Sequence, residues 1–226
     1  VPVTELLQIP VETHSYYKRL VQQMIDAKGS WREVNNIFLR MRQLSSGFIG
    51  LVDDETGEKA QIVFDENPKL DRLIELLGEL PEGRKAVVFH SFTLTGRTIV
   101  ERVQKELGIN PIWLWSGTKD ARKELNRFYK DPRCTVAVLN AQLAAMSIDG
   151  LQEVANYVFF SESPVGAIDR VQAEKRIVRD GQTRTTFVYD LLVANTVDQR
   201  IREYHKSGED LAKAILRDPN MLLGRD

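Results

Sequence analysis

The sequence has one cysteine, Cys134, and only three histidines, His14, His90 and His205, far apart from one another. A single thiol excludes an internal disulfide and any cysteine cluster for a metal, and the histidines show no ligand spacing, so no metal site is expected. A lone cysteine also fits a reducing compartment. No apolar run approaches the roughly 18 residues that suggest a membrane span. Pro2, Thr4, Glu5 and Gln8 interrupt any signal-peptide core. The chain is therefore expected to be intracellular, cytoplasmic or nuclear, with no membrane partner and no secretion. Excess charge is missing as well: 31 Lys and Arg stand against 32 Asp and Glu, a net charge of −1. The chain as a whole is not a basic nucleic-acid binder, and any such contact has to come from a local patch. No Gly-x-x-x-x-Gly-Lys-Ser/Thr occurs, which excludes a Walker A loop, and no Asp-Glu-x-His strand end is present to hold magnesium. Residue 1 is Val rather than Met, which fits a chain cut from a longer one.

What is present suits a globular protein. The 226 residues, 42% hydrophobic and 28% charged, allow one large domain or one domain with an appendage. Residues 11–27 and 31–44 carry apolar side chains at helical spacing, Val34, Ile37, Phe38 and Met41 among them, and Gly47 stops the second helix. Segments 48–52 and 60–64 flank Asp53-Asp54-Glu55-Thr56-Gly57, the pattern of a β-hairpin and its turn. Pro68 suits the first turn of a helix running to about residue 80. From Lys85 onward, apolar strands at 85–90, 111–115, 134–139, 156–160 and 186–191 alternate with helices at 95–107, 120–129, 164–179 and 197–205. Continuous apolar strands are buried on both faces, so the expected class is α/β with a central parallel sheet flanked by helices, plus an N-terminal helical and hairpin extension. Ligands of such sheets sit at the carboxyl ends of the strands. The expected segments are a lead-in at 1–83, the sheet domain at 84–206 and a trailing helix and tail at 207–226.

Three stretches are candidates for chemistry. In 172–182 (QAEKRIVRDGQ), Gln172, Arg176 and Arg179 are spaced i, i+4 and i+7, which places an amide and two guanidiniums on one helical stripe. Gly181 then ends the helix in a left-handed conformation. Two arginines on one stripe repel unless an anion lies beside them, and guanidinium forks match phosphate oxygens. The alternative is a solvated charged face at a helix C-terminus. Ser116-Gly117-Thr118-Lys119 opens a helix after a strand; free amides at such a turn attract phosphate, and an ordinary helix start has the same pattern. In 139–151 (LNAQLAAMSIDGL), Asn140 and Gln142 supply polar groups at a strand end and Asp149 precedes a glycine, where an aspartate is also a common turn residue. Trp113 and Trp115 lie two apart on a strand and so share a face. Core packing is their expected use.

Together, in this order, the stretches resemble the second lobe of Swi/Snf-type members of helicase superfamily two. Gln172-x-x-x-Arg176-x-x-Arg179-x-Gly181-Gln182 resembles motif six, 87–92 (VVFHSF) resembles motif four, 139–151 resembles motif five with Ser147 where glycine is usual, and 116–119 resembles the turn that holds a nucleic-acid phosphate. Residues 196–201 and 39–48 resemble the segments that follow motif six and precede motif four, so the resemblance covers about residues 36–205. It implies a RecA-like lobe of a DNA-stimulated ATPase, a helicase-like translocase or remodeller. Arg176 and Arg179 would be arginine fingers on the γ-phosphate, with Gln172 orienting beside them. Asp149 would take the ATP ribose, with Gly181 and Gln182 in the same nucleotide site. Ser116, Gly117, Thr118, Lys119, Asn140 and Gln142 would face nucleic acid. The implied partners are double-stranded DNA and a first lobe of the same polypeptide, which would hold most of ATP and magnesium; without it the chain is expected to hydrolyse nothing. A different reading keeps the same fold as a non-catalytic module that binds nucleic acid or protein. A small-molecule-binding doubly wound domain ranks last, because no Gly-x-Gly-x-x-Gly follows the first strand.

Overall fold

The computed structural model describes residues 1–26, 31–52, 56, 59–142, 148–179, 181–207, 211 and 214. The hairpin turn at Asp53-Asp54-Glu55, Ser147 with the small residues before it, and most of the trailing segment lie outside the described residues. In chain order the elements are β1 (Pro2–Leu7), α1 (Val11–Asp26), α2 (Trp31–Leu44), β2 (Phe48–Val52), β3 (Lys59–Val63), α3 (Pro68–Gly78), β4 (Ala86–His90), α4 (Thr93–Leu107), β5 (Ile112–Leu114) and α5 (Ala121–Lys130). They continue with β6 (Val136–Asn140), α6 (Leu151–Val154), β7 (Tyr157–Phe160), α7 (Ala167–Glu174), β8 (Phe187–Val193) and α8 (Val197–Ser207).

Six strands form one sheet in the order β1-β8-β7-β4-β6-β5, while β2 and β3 form a separate antiparallel hairpin. The β4–β6, β4–β7, β5–β6 and β7–β8 pairs are parallel. The Val188 N–H donates to the Val1 carbonyl and the Ala194 N–H to the Leu7 carbonyl, so β1 runs parallel to β8 as well. The sheet thus has one strand more than the five apolar runs predict. β1 alternates exposed and half-buried positions, the pattern of an edge strand with one wet face, and opens on a proline, which edge strands tolerate.

The chain divides into two compact units, Val1–Glu5 with Leu70–Leu192, and Leu6–Lys69 with Val193–Asp226. The first unit holds the motifs. Its central strand, β4, is buried at every position, and alternation splits its side chains between two cores. Val87 and Phe89 join Phe128, Leu151, Ala173 and Ile177, so α5, α6 and the α7 segment cover that face. Ala86 and Val88 join Leu70, Leu73, Leu77, Ile99 and Val103, so α3 and α4 cover the other. Where α4 starts below the sheet end, Gly96 leaves no room for a side chain: a Cβ there would lie 2.4 Å from His90 Cε1. Lys85, at the entrance to β4, sends Nζ to the Phe128 carbonyl and, at 2.8 Å, to the Asp131 carbonyl. It thereby satisfies the last carbonyls of α5, and burial lowers its pKa.

The second unit packs Tyr17, Leu20 and Met24 of α1, Val34, Ile37, Phe38, Met41 and Leu44 of α2, and Val197 and Ile201 of α8 into its interior. The buried Lys69 and Tyr17 there are paired, as burial demands. Asp198 takes Lys69 Nζ at 2.9 Å, the Ser45 hydroxyl at 2.8 Å and the Val193 N–H at 3.2 Å. The Val197 N–H donates to the Tyr17 hydroxyl at 2.7 Å, and burial pushes the pKa of that phenol up.

Candidate functional site

Parallel strands end together, and the register sets the ends of β4, β6 and β5 side by side: His90 faces Asn140, and Leu114 faces Leu139. The loops that follow them, at 91–93, 140–142 and 116–119, therefore share one edge of the sheet. Asn140 ties two of these loops, its Nδ2 donating to the Ser91 carbonyl at 3.2 Å while its Oδ1 accepts the Gln142 N–H at 3.1 Å. Gln142 itself is exposed. In the 116–119 turn the Thr118 hydroxyl accepts the Trp115 N–H at 2.9 Å and donates to the Trp113 carbonyl at 3.1 Å. Thr118 staples the turn from inside, and Ser116, Gly117 and Lys119 form its exposed side. Gly117 sits flat on an indole, since a Cβ there would lie 2.5 Å from the Trp115 ring. The next helix is capped by Asp120, whose side chain accepts the Lys123 N–H at 2.9 Å.

Behind this edge runs a polar and aromatic support; the sequence reading singled out Trp113 and Trp115 as core residues, but not their link to His90 or the part played by Glu162. Trp113 stacks on Trp115 at 5.0 Å and sends its indole N–H to His90 Nε2 at 3.1 Å. An indole only donates, so Nε2 is the acceptor and the imidazole proton sits on Nδ1, donating to the Phe92 carbonyl at 3.0 Å. His90 is fully buried, and desolvation holds its pKa below the ordinary value despite the Glu162 charge nearby. Glu162, just past β7, accepts the Ser91 N–H at 2.7 Å, the Phe92 N–H at 2.9 Å and the Thr95 hydroxyl at 2.6 Å. Its buried carboxylate serves the start of α4, where the N-cap residue Phe92 has no side-chain acceptor to offer.

One prediction follows from His90. Below its ordinary value of 6.5, the unfolded chain takes up a proton that the folded chain refuses, so folding stability falls as pH drops from 6.5 toward the lowered folded value. The slope is at most about 1.4 kcal/mol per pH unit. Denaturant titrations between about pH 7 and pH 5.5 will show this slope in the wild type and a shallower one in His90→Gln; equal slopes would assign the proton elsewhere.

The arginine segment differs from its expected shape. A helix was predicted to 179, with Gln172, Arg176 and Arg179 on one stripe, but α7 ends at Glu174. Beyond it the Arg176 and Ile177 amides bond back three residues, to the Ala173 and Glu174 carbonyls, which tightens the chain into turns. Ile177 is fully buried, and the β-branched pair Ile177-Val178 favours leaving the helix. Gln172 thus stays exposed on α7, while Arg176 and Arg179 stand on the turns. They are nevertheless brought together, because both Nη1 atoms approach the same carboxylate oxygen, Asp149 Oδ1, at 3.5 Å and 3.1 Å. Gly181 is left-handed, with φ of 93°, but lies past these turns rather than at a helix end. The Gln182 side chain is engaged at both ends: Nε2 donates to the Gln152 and Ala155 carbonyls at 2.9 Å and 3.0 Å, and Oε1 accepts the Arg184 N–H at 3.0 Å. It anchors the loop to α6.

What holds α7 in place is Arg170, 1% exposed. Its guanidinium pairs with Asp190 of β8, reaches the Ser163 hydroxyl at 2.7 Å and Glu174 at 3.3 Å, and lies 3.4 Å over the Phe160 ring. Asp190 interrupts an otherwise apolar strand, FVYDLLV. A carboxylate in a buried run demands a cation, and that was the signal available in the sequence.

No protein-family model matches the chain. The chromatin-remodeling ATPase INO80 of Saccharomyces cerevisiae is 29% identical over 154 residues, 67% of this chain and 10% of that protein. The ATP-dependent helicase fft1 of Schizosaccharomyces pombe is 26% identical over 155 residues, 68% of this chain and 16% of that protein. The chain thus spans under a fifth of the length of these relatives. Among solved structures, the C-terminal part of the Fun30 ATPase domain superposes with a TM-score of 0.71 at 17% identity, covering 100% of this chain and 98% of that one. The Sulfolobus solfataricus SWI2/SNF2 ATPase core in complex with dsDNA gives 0.69 at 22% identity, covering 97% of this chain and 46% of that one. These two likenesses establish the fold, a RecA-like lobe with a six-stranded sheet flanked by helices.

Proposed function

We propose that this homologue of the Swi/Snf-type helicase ATPases is the second lobe of a DNA-stimulated, ATP-driven translocase, an intracellular motor whose other lobe holds most of the nucleotide. The observation that carries the reading is the convergence of Arg176 and Arg179 on one carboxylate oxygen: the fold gathers two guanidiniums around an anion. That arrangement fits phosphate, whose oxygens accept the same forked N–H donors. ATP with magnesium supplies the phosphoanhydride. This chain's part is to aim Arg176 and Arg179 at the terminal phosphate, where their charge counts most as negative charge spreads in the transition state, with Gln172 orienting beside them. Asp149, Gly181 and Gln182 border the same segment, Gln182 by fixing the loop. On the sheet edge, Ser116, Gly117 and Lys119, with Asn140 and Gln142 on the neighbouring loop, would meet a nucleic-acid phosphate chain, and Thr118 would hold the turn. The neighbour solved with double-stranded DNA supports a duplex. Phosphate contacts carry no sequence information, so binding is sequence-independent and salt-sensitive.

The test is a phosphate-release assay with and without duplex DNA, on this chain alone and on the chain rejoined to its upstream region. The isolated chain turns over no ATP and the rejoined protein is stimulated by DNA. A rejoined protein that folds and binds DNA yet hydrolyses nothing would transfer the fold to the binding-module reading.

A further inference from the structure

Asp149 is held in place from behind. The Tyr129 hydroxyl donates to its carbonyl at 2.6 Å, and the next residue, Gly150, takes a left-handed conformation with φ of 90° that side chains resist. These two features fix the backbone just after the carboxylate's Cα, so the chain path sets the point from which the side chain reaches Arg176 and Arg179. The side chain of Asp149 is 79% exposed, that of Arg179 42% and that of Arg176 23%. Ion pairs so wet are weak and exchange readily. Two guanidiniums facing one oxygen would repel each other without it, and an arriving phosphate would have to take the place that it fills.

Building on the finger reading above, we propose that Asp149 is a tethered anion that occupies the two arginines between catalytic cycles and competes with incoming phosphate for them. It keeps the pair assembled but lowers its affinity for polyanions, so that phosphate wins only when other contacts help to hold it. A carboxylate kept for the ribose would behave differently, because its removal weakens the nucleoside and leaves bare phosphate chains unaffected.

The probe is inorganic tripolyphosphate, which has no ribose, titrated calorimetrically into this chain at low ionic strength. Asp149→Asn removes the competing charge and binds it about fivefold more tightly than wild type, with the gain shrinking as salt is added. Tyr129→Phe, which loosens the Asp149 backbone without touching its charge, shifts affinity the same way by a smaller factor. Glu153→Gln removes an exposed charge in the same neighbourhood and leaves affinity at the wild-type level. Unchanged or weaker binding by Asp149→Asn overturns the proposal, as does an equal gain in Glu153→Gln, which would reduce it to general charge. Arg176→Ala and Arg179→Ala report separately on the finger reading: if both bind tripolyphosphate as wild type does, that reading fails whatever Asp149 does. Thermal unfolding of each variant confirms that the comparisons are between folded proteins.

Discussion

Alanine at Arg176 or at Arg179 will lower DNA-stimulated ATP turnover of the rejoined protein by on the order of 10³-fold or more, with duplex binding retained. On the proposed reading each guanidinium would work on charge that exists only in the transition state, so the loss is expected in kcat rather than KM. Neither side chain is fully buried, the exposures being 23% and 42%, so truncation leaves the fold intact and the kinetic loss is not a folding loss. Two guanidiniums that act on one phosphate, as proposed, would leave the double variant little below the worse single one. Lysine at either position restores charge but not the planar fork and recovers only part of the rate. Steady-state kinetics with saturating DNA is the measurement; two silent substitutions would return the segment to a solvated charged face.

Arg170→Ala will destabilise the sheet unit by about 3–5 kcal/mol, because it removes the guanidinium that pairs with the buried Asp190 carboxylate. Asp190 is 1% exposed, so water cannot replace the lost partner. Replacing both at once, as Arg170→Met with Asp190→Leu, will cost less than the single change, since no unpaired charge remains. Denaturant midpoints of the wild type and the two variants check this, and a single variant as costly as the double would mean that lost packing against Phe160, not the lost charge pairing, dominates. Arg170→Ala also frees α7 from β8, so whatever survives folding will hold its arginine segment loosely.

The sheet was legible because buried parallel strands are apolar throughout: β4, β6 and β7 announce themselves as AVVFH, VAVLN and YVFF. β1 was not, since PVTELL alternates and looks like a lead-in until its partner is known. The motif stretches stand in order in the sequence, yet the helix predicted to 179 ends at Glu174, because helical spacing continues in the sequence while the chain has already turned to bury Ile177. Sequence spacing reports a helix only as far as tertiary packing lets it run. The support behind the site, His90 with Trp113 and Glu162 with the start of α4, stayed hidden for a different reason. Each is a pair of residues distant in sequence, and nothing local in either partner names the other.

In the proposed motor, Lys85 would have a mechanical meaning. The turn at 116–119 leads directly into α5, and Lys85 grips the Phe128 and Asp131 carbonyls at the far end of that helix, from the root of β4. On the proposed reading, a pull on a DNA backbone at the turn would load a strut held at its far end, and the load would pass to the middle strand of the sheet rather than stretch a loop. Stiffness of this kind would let the proposed motor turn a small movement into a step along the track.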